Sequence, residues 1–161
     1  MPLSARHIYL TLFLCCTGLL GYALYTQYFQ DLIPCALCMT QRFFYVVVAL
    51  TALIAAIHNP TALGRKIYVG LMFTASALGA GVAGRQVWLQ HLPEDQVPAC
   101  GPSLEYLFDA LPFSEAFTTL MMGDGNCAEV VWTFLGMSMP TWSLVWFVLL
   151  GLAALISLRA K

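Results

Sequence analysis

"IPCALCMTQRFFYV", residues 33–46, holds two cysteines spaced Cys-x-x-Cys, an arginine four positions past the second, and then the start of an apolar, aromatic run. That run, 39–57, approaches the roughly 20 residues needed to cross a hydrocarbon core. Three more stretches do the same, at 8–26, 67–89 and 141–158. Of the 161 residues, 60% are hydrophobic and 9% charged. A soluble domain carries about a quarter charged residues. The class is therefore membrane protein. No sheet-like alternation of polar and apolar residues is evident, so the expected architecture is all-α, a bundle of four transmembrane helices in one integral membrane domain, 1–161. A net charge of −1 argues against nucleic acid as a partner.

Basic residues orient the bundle. Arg6, Arg65, Lys66, Arg159 and Lys161 fall at the N-terminus, the 58–66 loop and the C-terminal tail, which share one side if there are four spans. The bias toward Lys and Arg places that side, and both termini, in the cytoplasm. The loops 27–38 and 90–140 then lie outside. The first span is expected to be retained, because Gly21-Tyr22-Ala23 is a weak cleavage site and the apolar stretch before it is long.

Six cysteines sort by depth. Cys15 and Cys16 lie inside the first span and read as inert core thiols. Cys35 and Cys38 lie at the outer edge of the second, and Cys100 and Cys127 in the long outer loop. Four of the six thus face a compartment where disulfides persist. Static bridges do not need Cys-x-x-Cys, since so short a loop removes little chain entropy. The second pair is too far apart for a zinc ribbon, so no metal is expected. Covalent haem needs a histidine where Met39 stands. Redox-active dithiol chemistry remains the leading reading. Pro34 suits a helix start at Cys35, where free amide N–H groups stabilise a thiolate. On such a helix Cys35, Cys38 and Arg42 form one stripe running into the membrane. Arg42 is either a snorkelling interface charge or a guanidinium that polarises the oxygen of a membrane-soluble acceptor. Arg85 reads as a structural charge, Trp88 as an interfacial belt residue, and His91 as an interface residue or a proton carrier near the acceptor.

The loop 90–140 is not expected to be featureless. "SLEYLFDAL" (103–111) and "SEAFTTLMM" (114–122) have apolar residues at helical spacing, with Ser103 as a cap and Pro112 as a stop. This short amphipathic helix packs either on the protein's own top or in the membrane interface. Cys100 sits in "VPACGPS", extended and exposed between prolines, and Cys127 follows "GDGN", a flexible turn.

"PCALCMTQR" and "GNCAEVVWTFLGMSMPTW" together resemble the DsbB family of bacterial inner-membrane proteins, and the likeness covers essentially the whole chain. One departure is Gln41, where many relatives carry glutamate. The resemblance implies a protein-disulfide:quinone oxidoreductase. It would reoxidise DsbA, a periplasmic thioredoxin-fold oxidase, and pass two electrons to a membrane quinone, ubiquinone or menaquinone. The DsbA–DsbB–quinone route is the known means by which the periplasm is kept oxidising. By position, Cys100 would be attacked by the DsbA thiolate. Cys127 would resolve that bond and pair with Cys35. Cys38 would face the quinone, with Arg42, and less directly His91, as quinone-side residues. The loops with the four cysteines would be periplasmic.

Overall fold

The computed structural model describes residues 4–32, 34–93, 96, 112, 115 and 125–160. Cys100 and the amphipathic segments 103–111 and 114–122, apart from Glu115, lie outside the described residues. Four long helices carry the fold: α1 (Ala5–Phe29), α2 (Ala36–His58), α3 (Ala62–Leu89) and α5 (Met139–Ile156). Between α3 and α5 come a single helical turn, α4 (Gly125–Ala128), and a hairpin of β1 (Thr133–Phe134) and β2 (Met137–Ser138). The long helices have 25, 23, 28 and 18 residues and each is apolar enough to cross a membrane. At about 1.5 Å per residue, even the shortest spans about 27 Å. The chain is a multi-pass membrane protein with a four-helix bundle.

The sequence-derived spans sit within or near these helices. The helices start three to five residues earlier for the first three, and α5 starts at Met139 rather than 141. Polar helix starts such as Ala62–Lys66 lengthen a helix without lengthening its apolar core. α2 ends at Asn59, which takes a left-handed φ of 46° that asparagine tolerates.

Small residues set the packing. Ala49, Ala52, Ala55 and Ala56 of α2, Ala75, Gly79 and Ala83 of α3, and Gly151 and Ala154 of α5 are buried. Such residues let helix backbones approach closely where lipid removes the hydrophobic drive. The Phe147 ring occupies the place a Cβ on Gly79 would take, and it stacks on Tyr45 with centroids 4.1 Å apart. Leu14, Leu50, Ile54, Ile57, Leu71, Leu78 and Leu149 point outward, toward lipid. α1 packs along α2, α2 along α3 and α3 along α5, whereas α1 and α5 touch only sparsely. The bundle therefore opens on the α1–α5 side.

The two ends differ in chemistry. At one, Arg65 Nη1 donates to the Ala160 carbonyl at 2.6 Å and Ser157 Oγ reaches Tyr9 OH at 3.5 Å. This end gathers both termini and the α2–α3 loop. Cys35, Cys38 and Cys127 lie at the other. The hairpin there was not foreseen. Its Thr133↔Ser138 and Phe134↔Met137 register leaves a two-residue turn, Leu135-Gly136. Both turn residues have positive φ, 52° and 77°, as a twisted two-residue hairpin demands. Strands this short carry no readable alternation.

Candidate functional site

α2 begins where its cysteines need it to. Cys35 is the N-cap, in extended conformation, and its sulfur accepts the Cys38 backbone N–H at 3.4 Å. That turn sets the two Sγ atoms 3.0 Å apart. Cys127, on α4, is fully buried and packs against Cys35, Leu37 and Leu89. Its thiol hydrogen-bonds Cys35. That bond first, then the one to Cys38, then burial, raise the Cys35 pKa well above the ordinary thiol range. Three of the four cysteines singled out in the sequence therefore meet at one point, with Cys35 in the middle. Cys127 was expected on a flexible turn, yet it sits in a helical turn inside a small core. The apolar neighbours supplied by α2 and α3 explain this, and they are remote in sequence.

A buried polar pair joins the thiols. Gln86 of α3 and Gln41 of α2 are 3% and 5% exposed. Gln41 Nε2 donates to Gln86 Oε1 at 2.8 Å. Gln86 Nε2 in turn lies 3.2 Å from both Cys35 Sγ and Cys38 Sγ, and 3.5 Å from the Cys127 carbonyl. Sequence reasoning did not single out Gln86. A glutamine beside Arg85 in the mostly apolar C-terminal half of the third span was the signal available.

Arg42 lies one turn deeper than Cys38. Its guanidinium turns toward α1, where Nη2 donates to the Ala23 carbonyl at 3.1 Å and Nη1 to Gln27 Oε1. Pairing with backbone carbonyl is how an intramembrane arginine is commonly held. The Arg85 guanidinium lies 4.3 Å from the Trp88 ring centroid, a cation–π contact.

A cavity of about 970 Å³ opens between α1, α2, α5 and the hairpin. Leu19, Tyr22, Ala23, Trp132, Trp142 and Trp146 give it apolar walls, while Cys35, Cys38, Gln41, Arg42 and Gln86 converge on it. Predominantly apolar walls with a few convergent polar groups are the usual make-up of a small-molecule site. Its rings form a chain, Tyr22 to Trp132 to Phe134 to Trp142, with centroids about 6 Å apart at each step. Trp142 Nε1 donates to the Phe134 carbonyl at 3.0 Å, which ties the hairpin to α5. His91 is not in the lining. It is exposed past the end of α3, with Nδ1 2.8 Å from the Val87 carbonyl. Gln90 takes the place beside the cavity and accepts from Ser138 Oγ at 2.7 Å.

Fold and site together define a class: a four-helix membrane protein that holds a dithiol at the wall of a largely apolar cavity. The model of the DsbB family, described as disulfide bond formation protein DsbB, matches residues 5–157. A "Disulfide bond formation protein B" of Saccharophagus degradans is 56% identical over 152 residues, 94% of this chain and 90% of the relative. One of Hahella chejuensis is 53% identical over 146 residues, 91% and 88%. "Disulfide bond formation protein B 1" of Pseudomonas aeruginosa is 46% identical over 149 residues, 92% and 91%. The chain belongs to the DsbB family.

Proposed function

We propose that this protein serves disulfide bond formation as a thiol:quinone oxidoreductase of the bacterial inner membrane. Family membership supports the process. One observation supports the acceptor: Cys38 and Arg42 share a largely apolar cavity lined from α1, α2, α5 and the hairpin, where α1 and α5 touch only sparsely. The volume, about 970 Å³, lies at the upper end of the range of small-molecule sites. A quinone there supplies a lipid-soluble acceptor for two electrons and two protons. Tyr22, Trp142 and Trp146 would enclose its ring, and Arg42 would hydrogen-bond an oxygen. Both termini face the cytoplasm in this reading and the thiols face the periplasm.

The chain's own residues divide the work. The thiolate of the partner, a DsbA-like dithiol oxidase, attacks Cys100 of a Cys100–Cys127 disulfide; Cys127 leaves as the thiolate, and the partner's second thiol resolves the mixed disulfide. Cys127 then passes the exchange to Cys35, which it already touches. Cys38 holds the charge released when the Cys35–Cys38 bond opens, and it does so at the cavity wall. The route joins a water-soluble protein to a lipid-soluble acceptor, and such a route must end on a hydrophobic helix. A second class, a membrane scaffold with static outer disulfides, is separated by thiol trapping. Adding reduced DsbA should convert Cys35 and Cys38 from disulfide to thiol and, with quinone, back again. Bridges that stay closed throughout would overturn the enzymatic reading.

A further inference from the structure

We propose that Gln86 is a catalytic residue of this exchange: its side-chain amide donates to the sulfur that carries charge when the Cys35–Cys38 bond opens. Gln41 is the positioning residue that fixes which end of that amide faces the sulfurs. The inference rests on the redox reading above and adds to it an actor that no cysteine or arginine motif reveals.

An amide has one donor end and one acceptor end. The Gln41 NH2 group can only donate, and it occupies the Gln86 oxygen at 2.8 Å. The Gln86 nitrogen then lies 3.2 Å from each sulfur, nearer than the oxygen, which also accepts from the protonated Cys38 thiol at 3.5 Å. Both glutamines are buried, so water does not compete for these groups. In the step itself the Cys127 thiolate attacks Cys35 Sγ of the Cys35–Cys38 disulfide. A Cys35–Cys127 bond forms, the Cys35–Cys38 bond breaks, and the electron pair stays on Cys38 Sγ. One negative charge is present before and after, and one disulfide replaces another. A donor fixed in place before the charge arrives needs no reorganisation, which is what makes such donors effective. A neutral amide also avoids the desolvation that a second buried cation would require.

The test measures the Cys35–Cys38 equilibrium in a glutathione buffer, on the full chain in detergent. Quinone and partner are absent, and Cys100→Ser and Cys127→Ser isolate the pair. Gln86→Met keeps length and removes the donor. It should shift the equilibrium about tenfold toward the disulfide, the order expected for losing a charge-assisted hydrogen bond. For a two-electron couple that is about 30 mV more negative. Gln86→Glu, which aims oxygens at the sulfur, should shift it at least as far, and it carries the test alone if Gln86→Met does not fold. Gln41→Met should shift it less, and the double variant Gln41→Met/Gln86→Met should match Gln86→Met by itself. A well-folded Gln86 variant within twofold of its parent would overturn the proposal for Gln86. Additive effects in the double variant would overturn the positioning role of Gln41. Because no quinone enters, failure here leaves the quinone reading standing. Lost quinone turnover with the equilibrium shifts as expected would remove that reading and spare this one.

Discussion

Replacing Arg42 by methionine should separate the two half-reactions. The guanidinium lines the cavity beside Cys38, and its two anchors, the Ala23 carbonyl and Gln27, both belong to α1. Its hydrogen bonds run to Gln27, Ala23 and Met39, on α1 and its own helix. A hydrogen bond from a charged donor contributes about 1.5–3 kcal/mol. If Arg42 spends one on an acceptor oxygen as charge develops there, Arg42→Met should lower kcat/KM for quinone by about 10- to 150-fold. Arg42→Lys keeps the charge but loses the planar fork, so it should recover only part of this. The assay is stopped-flow reduction of a soluble short-chain quinone by the pre-reduced protein. Mixed-disulfide formation with DsbA is followed in parallel by acid quench and gel. The second rate should stay within about twofold, since the charge being tested lies on the acceptor side. Equal losses in both rates, or quinone reduction untouched, would refute the reasoning and leave Arg42 as a tie between α1 and α2.

Other expectations follow from the same geometry. The Cys35 thiol, its pKa raised chiefly by its bond to Cys127, stays protonated past the ordinary thiol value of about 8.5. A raised pKa means a smaller thiolate fraction at every pH below it, so Cys127→Ala should lower it. Iodoacetamide labelling of Cys35 at pH 8 should then rise, read by peptide mass spectrometry; unchanged labelling would contradict the assigned cause. Cys100→Ser should abolish partner turnover while quinone binding, followed by fluorescence quenching of the cavity tryptophans, persists. Gly79→Ala would press a methyl group into the Phe147 ring, which is 1% exposed and stacked on Tyr45. Overpacking of this kind costs about 1–3 kcal/mol, and thermal unfolding in detergent should show it as a lowered midpoint.

Much of the bundle was legible because span length and apolar composition are one-dimensional signals. The apolar runs at 39–57 and 67–89 needed no tertiary information, and the Cys35–Cys38–Arg42 stripe followed from helical spacing. What the sequence hid is what depends on contacts between distant segments. Gln86 lies on α3, remote in sequence from the thiols it touches, and only the α2–α3 packing makes it a neighbour. Cys127 read as following a flexible turn because glycines precede it, but Leu37, Val82 and Leu89 build a pocket around it. The hairpin at 133–138 was invisible to pattern reading, since two-residue strands have no period. His91 lies just past α3, yet the end of that helix turns it away from the cavity and presents Gln90 instead.

The central claim is that electrons leave the Cys35–Cys38 pair for a lipid-soluble quinone. The most direct measurement is oxidation of reduced DsbA by the purified full-length protein, first stripped of quinone and then resupplied with it. The account predicts at most one equivalent per disulfide before resupply, then continuous turnover with one quinone consumed per DsbA oxidised. Sustained turnover at the same rate without quinone, or none after its return, would contradict it.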